Sequence, residues 1–112
     1  MNTLSTHVLD TMHGRPAEGM TIILVGPEGD KLAEVRTNKD GRCPDMAPGE
    51  LPPGLYSLIF FVDQYFEALG VELPNPPFLG GVSVGFGMAD GGGHYHVPLL
   101  VSPYGYSTYR GS

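Results

Sequence analysis

Four groups of residues in this chain are of types that move protons or hold anions: His7, Arg42, the pair His94 and His96, and the final tetrapeptide Tyr109-Arg110-Gly111-Ser112. An unperturbed imidazole titrates at about 6.5, so each histidine can serve as base or acid near neutrality. A guanidinium stays charged and can orient an acceptor-rich ligand or offset charge developing on oxygen. His94 and His96 share a face if their segment is a strand, with Tyr95 on the other. The pair could ligate zinc if His7 supplied a third nitrogen, but spacing of two on a strand is a weak metal signal, and no metal is expected. Acid-base work on a water nucleophile is the simpler reading. Ser102, Ser107 and Ser112 lack an acid near the histidines in sequence to complete a nucleophilic triad. A glycine-rich phosphate loop before a helix and a Gly-x-Ser-x-Gly elbow are both missing. His13, in a turn, reads as an ordinary polar residue, and Cys43 as a small packed one.

These residues must be positioned by a chain of 112 residues, which is one domain, 1–112, with a modest core that assembly into oligomers would reinforce. The formal net charge of -6 comes with scattered rather than clustered cations, which sets nucleic acid aside as a partner. From Gly91 to Ser112 there is no Asp or Glu, so an acidic protein has a locally basic end. A single cysteine cannot form an internal disulfide, and the sequence contains no apolar run of membrane-spanning length and no secretory pattern at its start. A soluble protein of a reducing compartment, the cytoplasm, is the expectation, with no membrane partner.

Hydrophobic periodicity predicts short strands almost throughout. Leu4 to Leu9 alternate, with Leu4, Thr6 and Val8 on one face and Ser5, His7 and Leu9 on the other. Met20–Val25 and Lys31–Thr37 follow as strands, separated by Gly26-Pro27-Glu28-Gly29-Asp30. Asn38-Lys39-Asp40-Gly41 suits a tight turn with positive φ at Gly41, after which Arg42 is expected to open another short strand. Pro44 to Gly54 reads as loop and delivers the most strand-like run, Leu55–Val62. Asp63 is placed to N-cap a short helix with Tyr65, Phe66 and Leu69 as its apolar stripe and Gly70 closing it. Prolines over 74–77 forbid regular pairing, Gly81–Met88 reads as a glycine-diluted strand, and two final strands break at Ser102-Pro103-Tyr104-Gly105. Seven to eight strands with one short helix define an all-β sandwich.

Three blocks of sequence resemble one family. Leu4-Ser5-Thr6-His7-Val8-Leu9-Asp10 with Gly14-Arg15-Pro16-Ala17, then Thr37-Asn38-Lys39-Asp40-Gly41-Arg42, and finally His94-Tyr95-His96-Val97-Pro98-Leu99-Leu100 through Tyr109-Arg110-Gly111-Ser112 are similar to the signatures of the transthyretin-like 5-hydroxyisourate hydrolases. The terminal tetrapeptide is the most specific of these, since it separates the hydrolases from hormone-carrying transthyretins. The resemblance implies a prealbumin-like β-sandwich assembled as a homotetramer, a dimer of dimers with sites where dimers meet. It implies water attack on a ring amide of 5-hydroxyisourate, giving 2-oxo-4-hydroxy-4-carboxy-5-ureidoimidazoline, with no cofactor. It also implies catalytic roles for His7, Arg42 and His96 and substrate binding by Tyr109, Arg110, Gly111 and Ser112. The rival readings are a non-enzymatic carrier of a small ligand and a prealbumin-like accessory domain.

Overall fold

The computed structural model describes residues 2–47 and 49–112, so Met1 and Pro48, the latter in the loop expected over 44–54, lie outside the described residues. Two four-stranded sheets face one another, and their order is set by the long-range pairing of the chain's two ends. The first sheet runs β2 (Arg15–Pro16), β1 (Thr3–Asp10), β7 (His94–Ser102), β8 (Gly105–Thr108). The second runs β4 (Lys31–Arg36), β3 (Thr21–Val25), β5 (Gly54–Phe61), β6 (Gly81–Met88). All neighbours are antiparallel except β1 and β7, which pair in parallel from Thr3↔His94 to Asp10↔Val101. Among the described residues the sandwich has eight strands and one helix, the all-β architecture expected from the periodicity.

Strict alternation builds the core. Leu4, Thr6 and Val8 of β1 point inward with Tyr95, Val97, Leu99 and Val101 of β7, and meet Ile22, Leu24, Leu58 and Phe60 from the opposite sheet. Each such aliphatic or phenyl group contributes roughly 1.5–3 kcal/mol on burial. Thr6, polar among these neighbours, donates its hydroxyl to the Val97 carbonyl at 2.7 Å. Inward apolar residues force the alternate set, Ser5, His7 and Leu9, outward, so one face of the first sheet is free to carry chemistry.

Two local expectations change. Arg42 opens no strand; it makes an isolated antiparallel bridge with His7, because the chain turns away into the loop after a single pair. The helix α1 spans Val62–Ala68, with Phe61 as its N-cap and no side-chain capping bond; Asp63 lies inside the first turn, where a carboxylate still suits the helix's positive end. Val62, Tyr65 and Phe66 form the buried stripe, whereas Leu69, beyond the last turn, is 43% exposed. Gly70 closes the helix as expected: with φ of 82° it forms a Schellman motif, Gly70 N–H donating to Glu67 O (2.9 Å) and Val71 N–H to Phe66 O (3.0 Å).

At the end of β1 the carboxylate of Asp10 is fully buried and satisfied from three directions. It accepts from Tyr65 Oη of α1 (2.7 Å), from the His13 amide (3.0 Å), and sits 2.6 Å from His13 Nδ1. His13, expected to be bland, thus belongs to the joint between the first sheet and the helix. Cys43 is buried, and that burial pushes its thiol up to about 11.

Candidate active site

The turn that presents Arg42 is organised by one side chain. Asn38 Oδ1 accepts from the amides of Asp40 (2.9 Å) and Arg42 (3.1 Å), while the Asn38 amide donates to the Arg42 carbonyl at 2.8 Å. Gly41, at φ of 74° as expected, lies so close to β1 that a Cβ there would stand 2.5 Å from the Val8 carbonyl. The Val8 amide donates to Gly41 O at 2.9 Å, which fastens the turn beside His7 and leaves Arg42 exposed at the sheet's outer face.

On that face the parallel register sets Thr3 beside His94, Ser5 beside His96 and His7 beside Pro98. Ser5 Oγ lies 2.7 Å from His96 Nδ1 and 2.8 Å from His94 Nε2, and Thr3 Oγ1 lies 2.6 Å from His94 Nδ1. Burial, and after it the charge of Arg42, hold the His7 pKa below the ordinary histidine value. His96 is lowered by burial first, then by the charges of Arg42, His7 and His94. Both rings are therefore neutral at neutral pH, the state a general base needs.

The end of the chain runs on beside β7 at the sheet edge, in the register that β8 sets. The Gly111 amide donates to the His96 carbonyl at 2.8 Å, forming an isolated bridge. Arg110 braces it: its guanidinium lies 4.0 Å from the centroid of the Tyr95 ring, and Nη2 donates to Gly92 O (3.2 Å) and His94 O (3.3 Å). A Cβ on Gly111 would sit 2.5 Å from His96 Cδ2, so only glycine brings the chain this near the imidazole. Gly111→Ala should lower kcat at least about tenfold by displacing the ring, since angstrom-scale misplacement is costly, with the thermal midpoint nearly unchanged. Steady-state kinetics alongside a melting curve check this.

The structure thus brings His7, Arg42 and His96 to one outer face and lays Gly111 against His96. Tyr109 is 61% exposed and Arg110 is engaged with backbone carbonyls and Tyr95. Sequence reasoning overlooked Thr3, Ser5 and Asn38. Ser5 shares its strand face with His7, which was readable; its two histidine partners, 89 and 91 residues away, were not. Among the described residues no three His, Cys, Asp or Glu side chains converge as a metal cage.

A sandwich whose first and last long strands pair in parallel, with a histidine–arginine cluster on the outer face of that sheet, defines a prealbumin-like protein. The profile of the HIUase/Transthyretin family matches residues 4–111, and the chain belongs to that family. It is 50% identical to the 5-hydroxyisourate hydrolase of Pseudomonas aeruginosa, over all of this chain and 93% of that protein. The solved structure of the 5-hydroxyisourate hydrolase of Klebsiella pneumoniae superposes with a TM-score of 0.86 at 39% identity, covering 100% of this chain and 94% of the other. Transthyretin from Sparus aurata superposes nearly as well, at 0.85 over 96% and 95% of the two chains, but is only 26% identical. Fold alone therefore does not separate the hydrolases from transthyretin; sequence identity does, at 50% and 39% against 26%.

Proposed function

We propose that this protein hydrolyses 5-hydroxyisourate to 2-oxo-4-hydroxy-4-carboxy-5-ureidoimidazoline, in the degradation of urate. The observation that carries this reading is the meeting of His7, Arg42 and His96 on one face, in a chain half identical along its whole length to a protein named for this reaction. In the mechanism, a neutral histidine takes a proton from water as the water oxygen adds to a ring amide carbonyl. Arg42 orients the substrate and offsets the charge gathering on the carbonyl oxygen. The ring C–N bond then breaks, and the imidazolium returns its proton to the departing nitrogen. Tyr109, Arg110, Gly111 and Ser112 form the wall against which the flat substrate lies, Arg110 by bracing it.

The same reading makes the protein a cytoplasmic homotetramer, a dimer of dimers. Two features support assembly: β6 and β8 are open edge strands of the two sheets, and the site lies on an exposed sheet face that a second copy would wall. No helix among the described residues is long and apolar enough to cross a membrane. The direct test generates 5-hydroxyisourate from urate with urate oxidase and follows its absorbance with and without the protein. Accelerated decay, undiminished by a strong chelator, is the expected result. Decay at the spontaneous rate would return the chain to the carrier reading, and activity lost to the chelator would make the site metal-dependent.

A further inference from the structure

The outer face holds a continuous run of hydrogen-bonding groups that the mechanism above leaves unused: Thr3 Oγ1 to His94 Nδ1 at 2.6 Å, His94 Nε2 to Ser5 Oγ at 2.8 Å, Ser5 Oγ to His96 Nδ1 at 2.7 Å. A serine hydroxyl has one proton. Ser5 therefore donates to one imidazole and accepts from the other, so the chain has a direction. If His96 Nδ1 carries a proton and donates to Ser5, then Ser5 donates to His94 Nε2, and His94 Nδ1–H donates to Thr3. His96 Nε2 is then a bare lone pair. In the opposite direction every bond reverses and His96 Nε2 carries the proton instead, which would make it an acid and not a base.

The cation decides between the two directions. Nδ1 is taken by Ser5, so Nε2 is the nitrogen left to face the reaction, and Arg42, bridged to His7, brings a positive charge to the same face. A lone pair is favoured there over an N–H dipole. We propose that Ser5 and His94 are positioning residues that fix His96 in its Nδ1-protonated tautomer, with Nε2 as the general base. This rests on the reading of His96 as a catalytic group. It follows the logic by which a third group orients a catalytic imidazole, here supplied by a hydroxyl and a second imidazole in place of a carboxylate. As water adds to the carbonyl, its proton moves to His96 Nε2 while Nδ1–H stays on Ser5. The Nε2 proton then passes to the departing ring nitrogen, and His96 returns to the neutral tautomer with which it began.

The test is spectroscopic and kinetic. In protein labelled with nitrogen-15 at histidine, long-range nitrogen–proton correlation at a pH where His96 is neutral should show Nδ1 protonated and Nε2 pyridine-like. Ser5→Ala should blur this into a tautomer mixture. Ser5→Ala and His94→Phe should each reduce kcat roughly ten- to a hundredfold with KM within about twofold, the size of effect typical of groups behind a catalytic side chain. The double variant should be little worse than either single one, because each breaks the same chain, and Ser5→Thr, which keeps the hydroxyl, should restore most of the rate. An Nε2-protonated His96 in the unmodified protein, or unchanged kcat in both Ser5→Ala and His94→Phe, would overturn the assignment. His96→Ala separates the two levels of the argument: near-normal turnover there defeats the base reading itself, whereas its loss beside fully active Ser5→Ala and His94→Phe defeats only the positioning role.

Discussion

His96→Ala and His7→Ala should each lower kcat by about 10²–10⁴-fold, the usual contribution of a positioned acid or base, which corresponds to about 3–5 kcal/mol of barrier. Neither change should harm the fold, because both side chains leave the outer face of a sheet whose inward residues are untouched. The pH profile of the unmodified protein should carry the same information. Both imidazoles are held below the ordinary histidine value, by burial first and by neighbouring positive charge second. A base works only when deprotonated, so activity should persist as pH falls below 6.5 and decline when the depressed values are reached. Arg42→Gln removes a cation that acts on both rings, so the acid limb should move to higher pH while kcat falls through loss of oxyanion stabilisation. Stopped-flow decay of 5-hydroxyisourate between pH 5 and 8 measures both effects. An acid limb that stays in place in Arg42→Gln would mean that the guanidinium does not set the histidine pKa values.

How much of this was readable beforehand follows from the range of the interactions involved. Period-two alternation in Leu4–Leu9 is local, and it correctly sent His7 and Ser5 to the same face. The glycine-diluted strand Gly81–Met88 formed as expected because its inward positions, Val82, Val84 and Met88, keep the period while glycines occupy the outer face. The turn at Asn38–Gly41 was equally local. Arg42 was misjudged only in what came after it: one bridging pair with His7 fixes the arginine, and the loop that follows needs no strand. Asp63 looked like a cap, but β5 runs directly into α1, so the cap falls two residues earlier, at Phe61, and the helix starts with Val62 turned into the core. The parallel pairing of β1 with β7 joins the two ends of the chain, and no local pattern announces it. That pairing is what places Ser5 between two histidines. The mutual arrangement of the site therefore required the structure, although His7, Arg42, His96 and the terminal tetrapeptide could be singled out from sequence.

Asp10→Ala should be among the most destabilising single changes in the molecule, by about 3 kcal/mol, the size expected when a buried charged acceptor is removed and its donors remain. Tyr65 Oη and the His13 amide would lose their acceptor, and the link from the end of β1 to α1 would go with it. A loss of this size lowers the melting midpoint on the order of 10 °C for a domain of this length, measured at fixed protein concentration so that assembly does not shift the comparison. Tyr65→Phe removes one donor and leaves the carboxylate its two contacts with His13, so it should cost only about half as much. The pH dependence has a definite sign. Hydrogen bonds from Tyr65 and His13 outweigh the opposing effect of burial and hold the Asp10 pKa below the ordinary aspartate value. The folded state therefore binds fewer protons than the unfolded chain in acid, and the carboxylate's contribution is complete above the unfolded value of about 3.9 and lost as pH falls through the lower folded value. Asp10→Asn keeps an acceptor of the same shape but no charge, so its stability should vary less between pH 5 and 2 than that of the unmodified protein. Parallel stability curves for the two proteins across that range would refute the assignment of this buried carboxylate as an acid-sensitive joint between sheet and helix.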